Sequence, residues 1–125
     1  MSRTAFTVKA FAVYLFILGV LLIGVPNVLL SIFGVPQTSE VWIRVVGVVV
    51  FNIGVFSWTA AKHEDKAFFR ASVHTRFFVL AAFAAFALLG LASPMLVLFG
   101  SVDFVGAIWT HLTLKAEERG RLAAA

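Results

Sequence analysis

Cysteine is absent from all 125 residues, so the chain can form no disulfide, no cysteine-ligated zinc site and no thiol nucleophile. The same absence leaves the redox compartment unreadable. Charge is scarce as well. Charged residues make up 13% of the chain, against about a quarter in an ordinary soluble domain, and only 6 residues are acidic. The three prolines, Pro26, Pro36 and Pro94, all fall where apolar segments begin or end.

The abundant material is apolar, at 62% of residues. Small soluble domains bury the smallest share of their surface, so a soluble fold of this length could not hide that much. Lipid is the expected solvent. The formal net charge of +4 sits at segment ends. Membrane topology accounts for it better than phosphate contact, and no nucleic-acid partner is expected.

Four stretches are long enough to cross a bilayer: about 6–25, 40–61, 67–92 and 94–115. At ~1.5 Å per residue, about 20 residues cover a hydrocarbon core of ~30 Å. The first stretch follows Arg3 and Lys9, as a signal peptide would. It ends in Pro26-Asn27 rather than a small-residue cleavage site, so it reads as a retained helix. Residues 26–33 are too short to span. Asn27 and Ser31 share one face, which predicts a short helix lying in the interface. Residues 34–39 are turn chemistry, with Thr38 or Ser39 placed to cap the second span and Glu40 near its positive end. Ser93-Pro94 starts the fourth span. Residues 116–125 form a helix-prone, charged tail that frays at its end.

Nine of the ten basic residues fall on one side: Arg3, Lys9, Lys62, Lys66, Arg70, Arg76, Lys115, Arg119 and Arg121. Only Arg44 belongs to the other. Basic loops stay cytoplasmic, so both termini are expected there. Loops this short make consecutive helices antiparallel neighbours, and the fold class is all-α: a four-helix up-down membrane bundle in a single domain, residues 1–125.

Polar residues inside the spans are few, and each costs energy unless paired or hydrated. Asp103 lies nine residues after Pro94, ~14 Å from the outer boundary. Arg44 or Arg76 could pair with it, and Asn52 borders the same interior. The pair reads either as a pin for helix packing or as a proton or ligand site. Gly100, Ala107 and Thr110 share the Asp103 face. Arg44, Gly47, Phe51, Gly54 and Trp58 form a matching stripe on the second span. His74 and His111 could sit at one depth, as a bis-histidine haem or a metal would require. Ligands are too few, so neither metal nor cofactor is expected. No catalytic motif is present, and the balance leans against an enzyme.

Pro26-Asn-x-Leu-Leu-x-x-Phe-Gly34-x-Pro36, followed by Glu40-Val-Trp-Ile-Arg44-Val-Val-Gly47, resembles small bacterial four-helix membrane proteins loosely related to the DoxX-like group. The Arg-x-x-Gly opening of the second span and Asp103 in the fourth are similar to those proteins. The resemblance implies the fold and a bacterial inner (plasma) membrane location, not an activity. Three readings stand. The bundle packs against itself or a partner, as in a homo-oligomer or larger complex, or holds an apolar small molecule such as a lipid or quinone-like ligand. Alternatively, Asp103 serves proton- or solute-coupled transport. In the third, the chain is a quinone- or haem-associated subunit of a redox complex.

Overall fold

Helix boundaries follow from local chemistry in this computed structural model, which describes residues 2–124. α1 (Arg3–Gly24) opens at Ser2, whose hydroxyl accepts from the Ala5 amide at 3.0 Å, and stops before Pro26. α2 (Pro26–Ile32) uses that proline in its first turn, where the missing donor has no cost. α3 (Trp42–Lys62), α4 (Lys66–Leu88) and α5 (Met95–Ala124) complete the order. Asp65 caps α4 by accepting from the Phe68 amide, and Ser93 accepts from the Met95 amide. The described residues contain no strand.

The fold is therefore all-α, with α1, α3, α4 and α5 each long and apolar enough to cross a membrane. Three boundaries differ from the sequence reading. Neither Thr38 nor Ser39 caps α3; Thr38 instead accepts from the Glu40 amide, and its own amide is taken by the Asn27 side chain. α4 stops at Leu88 rather than Ala92, because Gly90 turns left-handed at φ 73° and closes the helix. The charged tail is helical, as its composition suggests, but it continues α5 without a break past residue 115 to Ala124; the fraying expected at the extreme end falls on Ala125, outside the described residues.

Three helix ends share one device. After α2, α3 and α4, a left-handed residue (Gly34, Glu64, Gly90) donates to a carbonyl of the last turn. The residue after it reaches one carbonyl further back: Val35 to Leu30, Asp65 to Ala60, Leu91 to Phe86. Glycine takes this conformation without strain, whereas Glu64 is held there by other contacts.

α1 and α3 make the closest contact. Small residues recur every seven positions on both: Ala5, Ala12 and Gly19 on α1, and Gly47, Gly54 and Ala61 on α3. Run antiparallel, they match in pairs. A Cβ at Gly19 would lie 3.0 Å from the Gly47 carbonyl, and one at Gly54 3.3 Å from the Ala12 carbonyl; Ala5 and Ala61 share the buried core. Where lipid removes the hydrophobic force between helices, such backbone approach supplies the packing. The glycine stripe expected on the second span is thus a seam against α1. α4 pairs with α5 through a glycine on one side only, Gly100 lying against the Leu80 backbone, and through Phe77 against Phe104 with ring centroids 5.3 Å apart.

Around the bundle the order is α3, α1, α5, α4. The ring does not close. α3 and α4, although consecutive and joined by a short turn, share almost no packing. This corrects the expectation that all consecutive helices are neighbours: the small-residue face of α3 is committed to α1, which leaves α4 no close approach to it.

Packing is tightest where the basic helix ends converge. Ala5, Val8, Ala61, Phe69, Val73 and Leu114 form the core there. The α1 N-terminus is tied down by carboxylates from two other elements. Glu64 accepts from the Ser2 amide and hydroxyl, and Glu117 accepts from the Thr4 amide and hydroxyl. Negative charge at a helix N-terminus complements its dipole. Arg70 and Glu118 join α4 to α5 at 2.9 Å.

Candidate functional site

The unclosed side of the ring is the wall of a chamber of about 660 Å³, within the range of small-molecule sites. Leu15, Leu18 and Leu22 of α1 form its floor, and Val46, Val50 and Ile53 of α3 one side. Val79 and Phe83 of α4 form the other side, with Leu96 and Phe99 of α5. α2 lies across one end: Leu29, Leu30 and Phe33 face in, while Val28 and Ile32 are exposed, and Phe33 packs on Phe99 at 4.7 Å. The short helix after the first span therefore has one face to the chamber and one outward.

Few polar groups reach this space, chiefly Tyr14, Ser57, Ser72, Thr75, Arg76 and Asp103. Helical rise places Asp103 ~12 Å into α5 and Arg76 ~15 Å into α4 from the opposite end, so both stand near mid-span. Asp103 is half-buried and makes no hydrogen bond among the described residues. Arg76 is 3% exposed. Its Nε donates to the Ser72 carbonyl at 3.3 Å and its Nη2 to Thr110 Oγ1 at 3.2 Å. The guanidinium carbon stands 4.2 Å over the Phe11 ring. Nη1, beside Gly106, is the one buried side-chain nitrogen or oxygen left without a partner among the described residues.

The Arg76 contact continues as a chain. Thr7 gives its single hydroxyl proton to the Thr4 carbonyl at 2.7 Å, so in the 2.8 Å contact between Thr7 and Thr110 the donor is Thr110. The sequence Arg76 to Thr110 to Thr7 to Thr4 joins α4, α5 and α1 through buried groups. Helical spacing puts Thr110 on the buried Asp103 face. Its role as the branch point became visible only when α1 and α5 were placed side by side.

The expected pairing of Asp103 takes a different form. Arg44 is not its partner. Its guanidinium donates to the Ile23 and Gly24 carbonyls, satisfying orphan acceptors at the α1 C-terminus. Arg76 shares the chamber wall with Asp103, but no ion pair joins them: the Arg70–Glu118 pair is the only ion pair within 4.0 Å among the described residues. Asn52 does not border the interior; it is exposed on α3 and does not line the chamber. With the Gly47 and Gly54 face of α3 committed to α1, Asn52 turns outward. His74 is exposed on α4 and His111 half-buried on α5, and neither lines the chamber. No group of three metal-ligating side chains occurs among the described residues. Chemically, the site offers an apolar slot with an unpaired carboxylate on its wall and a buried guanidinium beside it.

Comparison of the chain with protein-family models, with curated proteins and with solved structures returned no match.

Proposed function

We propose that this membrane protein holds an apolar small molecule, of acyl or isoprenoid character, in the chamber between α3 and α4. The carrying observation is the chamber itself. About 660 Å³ lined almost wholly by aliphatic and phenylalanine side chains lies beside two helices that do not pack together. A molecule dissolved in the bilayer can enter between them without passing through water. Among the described residues no nucleophile–base pair or metal cluster accompanies the space, which supports holding rather than conversion.

The location in this proposal is a bacterial inner membrane, among small DoxX-like proteins. It is supported by the Pro26–Gly47 pattern and by the nine basic residues toward one face, which would be cytoplasmic. The test is purification in mild detergent, followed by native mass spectrometry and solvent extraction. A retained apolar molecule near one per chain is expected, and Val50→Trp, which fills the slot, should lower that ratio. A protein that carries nothing and takes up no apolar chain from mixed micelles ends the proposal.

A second reading, proton- or solute-coupled transport, draws on the position of Asp103 on the chamber wall near mid-span. It requires proton movement through liposomes containing the protein that Asp103→Asn abolishes.

A further inference from the structure

We infer that the occupant carries an uncharged hydroxyl head, which donates its hydrogen bond to Asp103. The inference rests on the chamber being a binding site and adds the chemistry of one end of the ligand.

Asp103 is the starting point. An ionised carboxylate accepts hydrogen bonds and donates none, and one that faces an apolar space without a donor loses the solvation it had in water. No described residue supplies that donor. The complement is therefore a group with a hydrogen to give, either a hydroxyl or an ammonium. Arg76 decides between them. Arg76 lines the same chamber, is 3% exposed, and has its guanidinium fixed by Ser72, Thr110 and Phe11. One positive charge already balances the carboxylate, so a second from a ligand amine would make the site net cationic in a low-dielectric setting. Anionic heads fail from the other side, because the Asp103 carboxylate on the same wall repels a second negative charge. Tyr14, the only tyrosine, also lines the chamber. Its phenol can give a hydrogen bond to the oxygen of the same hydroxyl. The shared class is a long-chain or polyprenyl alcohol, or a neutral lipid with a free hydroxyl.

The experiment uses four chains of equal length: hexadecane, hexadecanol, hexadecylamine and palmitate. Each is incubated at pH 8 with the whole protein in detergent, and the amount retained after gel filtration is measured by gas chromatography. Hexadecanol should be retained about tenfold more strongly than hexadecane, the worth of one hydrogen bond to a charged acceptor. In Asp103→Leu that preference should fall to the level of hexadecane. Asp103→Asn, the shape-conserving variant, should shift the ranking toward palmitate, because the Arg76 charge is then unbalanced. Retention of hexadecane equal to hexadecanol overturns the head assignment while leaving the chamber occupied. So does an unchanged ranking in Asp103→Asn, or amine or palmitate ranking first in the unmutated protein. Failure of all four chains to bind overturns the chamber reading itself.

Discussion

Glu64 grips Ser2 twice, taking the backbone amide at 2.7 Å and the hydroxyl at 2.6 Å, while its own backbone stands in the left-handed region at φ 54°. The turn that ends α3 is thereby fastened to the start of α1. The Ser2 hydroxyl, and then its amide, stabilise the ionised form and hold the Glu64 carboxyl below its ordinary value of 4.5. A depressed carboxylate contributes stability above its unfolded pKa and loses it as pH falls through the folded one.

Thermal melts of the unmutated protein and of Glu64→Gln in detergent should therefore differ near neutral pH and converge as pH falls below about 4.5. The group is largely solvated, so the difference will be small. A gap that persists unchanged at low pH would mean that the carboxylate charge is not what holds the turn.

Thr110 should matter more to stability than Asp103. Thr110→Val strips the acceptor from Arg76 Nη2 and the donor from Thr7, leaving buried polar groups unpaired at about 1–3 kcal/mol. Asp103→Asn removes no hydrogen bond or close ion pair among the described residues; it loses only the more distant balance of the Arg76 charge and should cost less than Thr110→Val, about 1 kcal/mol. Melting temperatures in the reverse order would show that a direct Asp103–Arg76 contact forms in the bilayer.

Gly47→Ala should destabilise by about 1–3 kcal/mol, because the new carbon would lie 2.8 Å from Leu22 Cβ and 3.0 Å from the Gly19 carbonyl. Gly24→Ala, with nothing within 4 Å, is the control and should melt within about 0.5 kcal/mol of the parent. Equal loss from both would remove the α1–α3 seam as the tight contact.

Without native cysteines, single-cysteine labelling has no background. Cysteines placed at Gln37 and at Arg121 should react from opposite sides of intact cells, Arg121 from the cytoplasm. Labelling of both from one side would defeat the four-span topology.

Reading spans from hydropathy succeeded because lipid imposes length and apolarity on each helix alone. Neighbours are a different matter, since they depend on which faces match. The pairing of α1 with α3 is written in the seven-residue spacing of Ala5, Ala12 and Gly19 against Gly47, Gly54 and Ala61, of which the stripe on the second span holds only Gly47 and Gly54. Asp103 and Arg76 were identifiable as polar residues in apolar helices, and the structure brings both to one chamber. The assignment of Arg44 as a partner failed because depth along a helix says nothing about backbone carbonyls exposed nearby. Glu64 gave no local signal, because a glutamate in a glycine position makes sense only with Ser2 across from it. Nor could the chamber be read from sequence, since it arises from a contact that α3 and α4 do not make.

The sparse packing between α3 and α4 also bears on how the protein is assembled. The bundle consists of two helical hairpins, α1 with α3 and α4 with α5, held together by the α1–α5 seam and one covalent crossing at residues 63–65. Each hairpin can enter the bilayer and satisfy its own backbone before the other is complete, so the later half need not wait within the insertion machinery for its neighbour. Two separately encoded pieces, 1–64 and 65–125, should therefore find each other in the membrane through Thr7, Thr110, Phe6 and Trp109 and copurify as one particle. A cut within α3, which divides the glycine seam, should yield no such recovery.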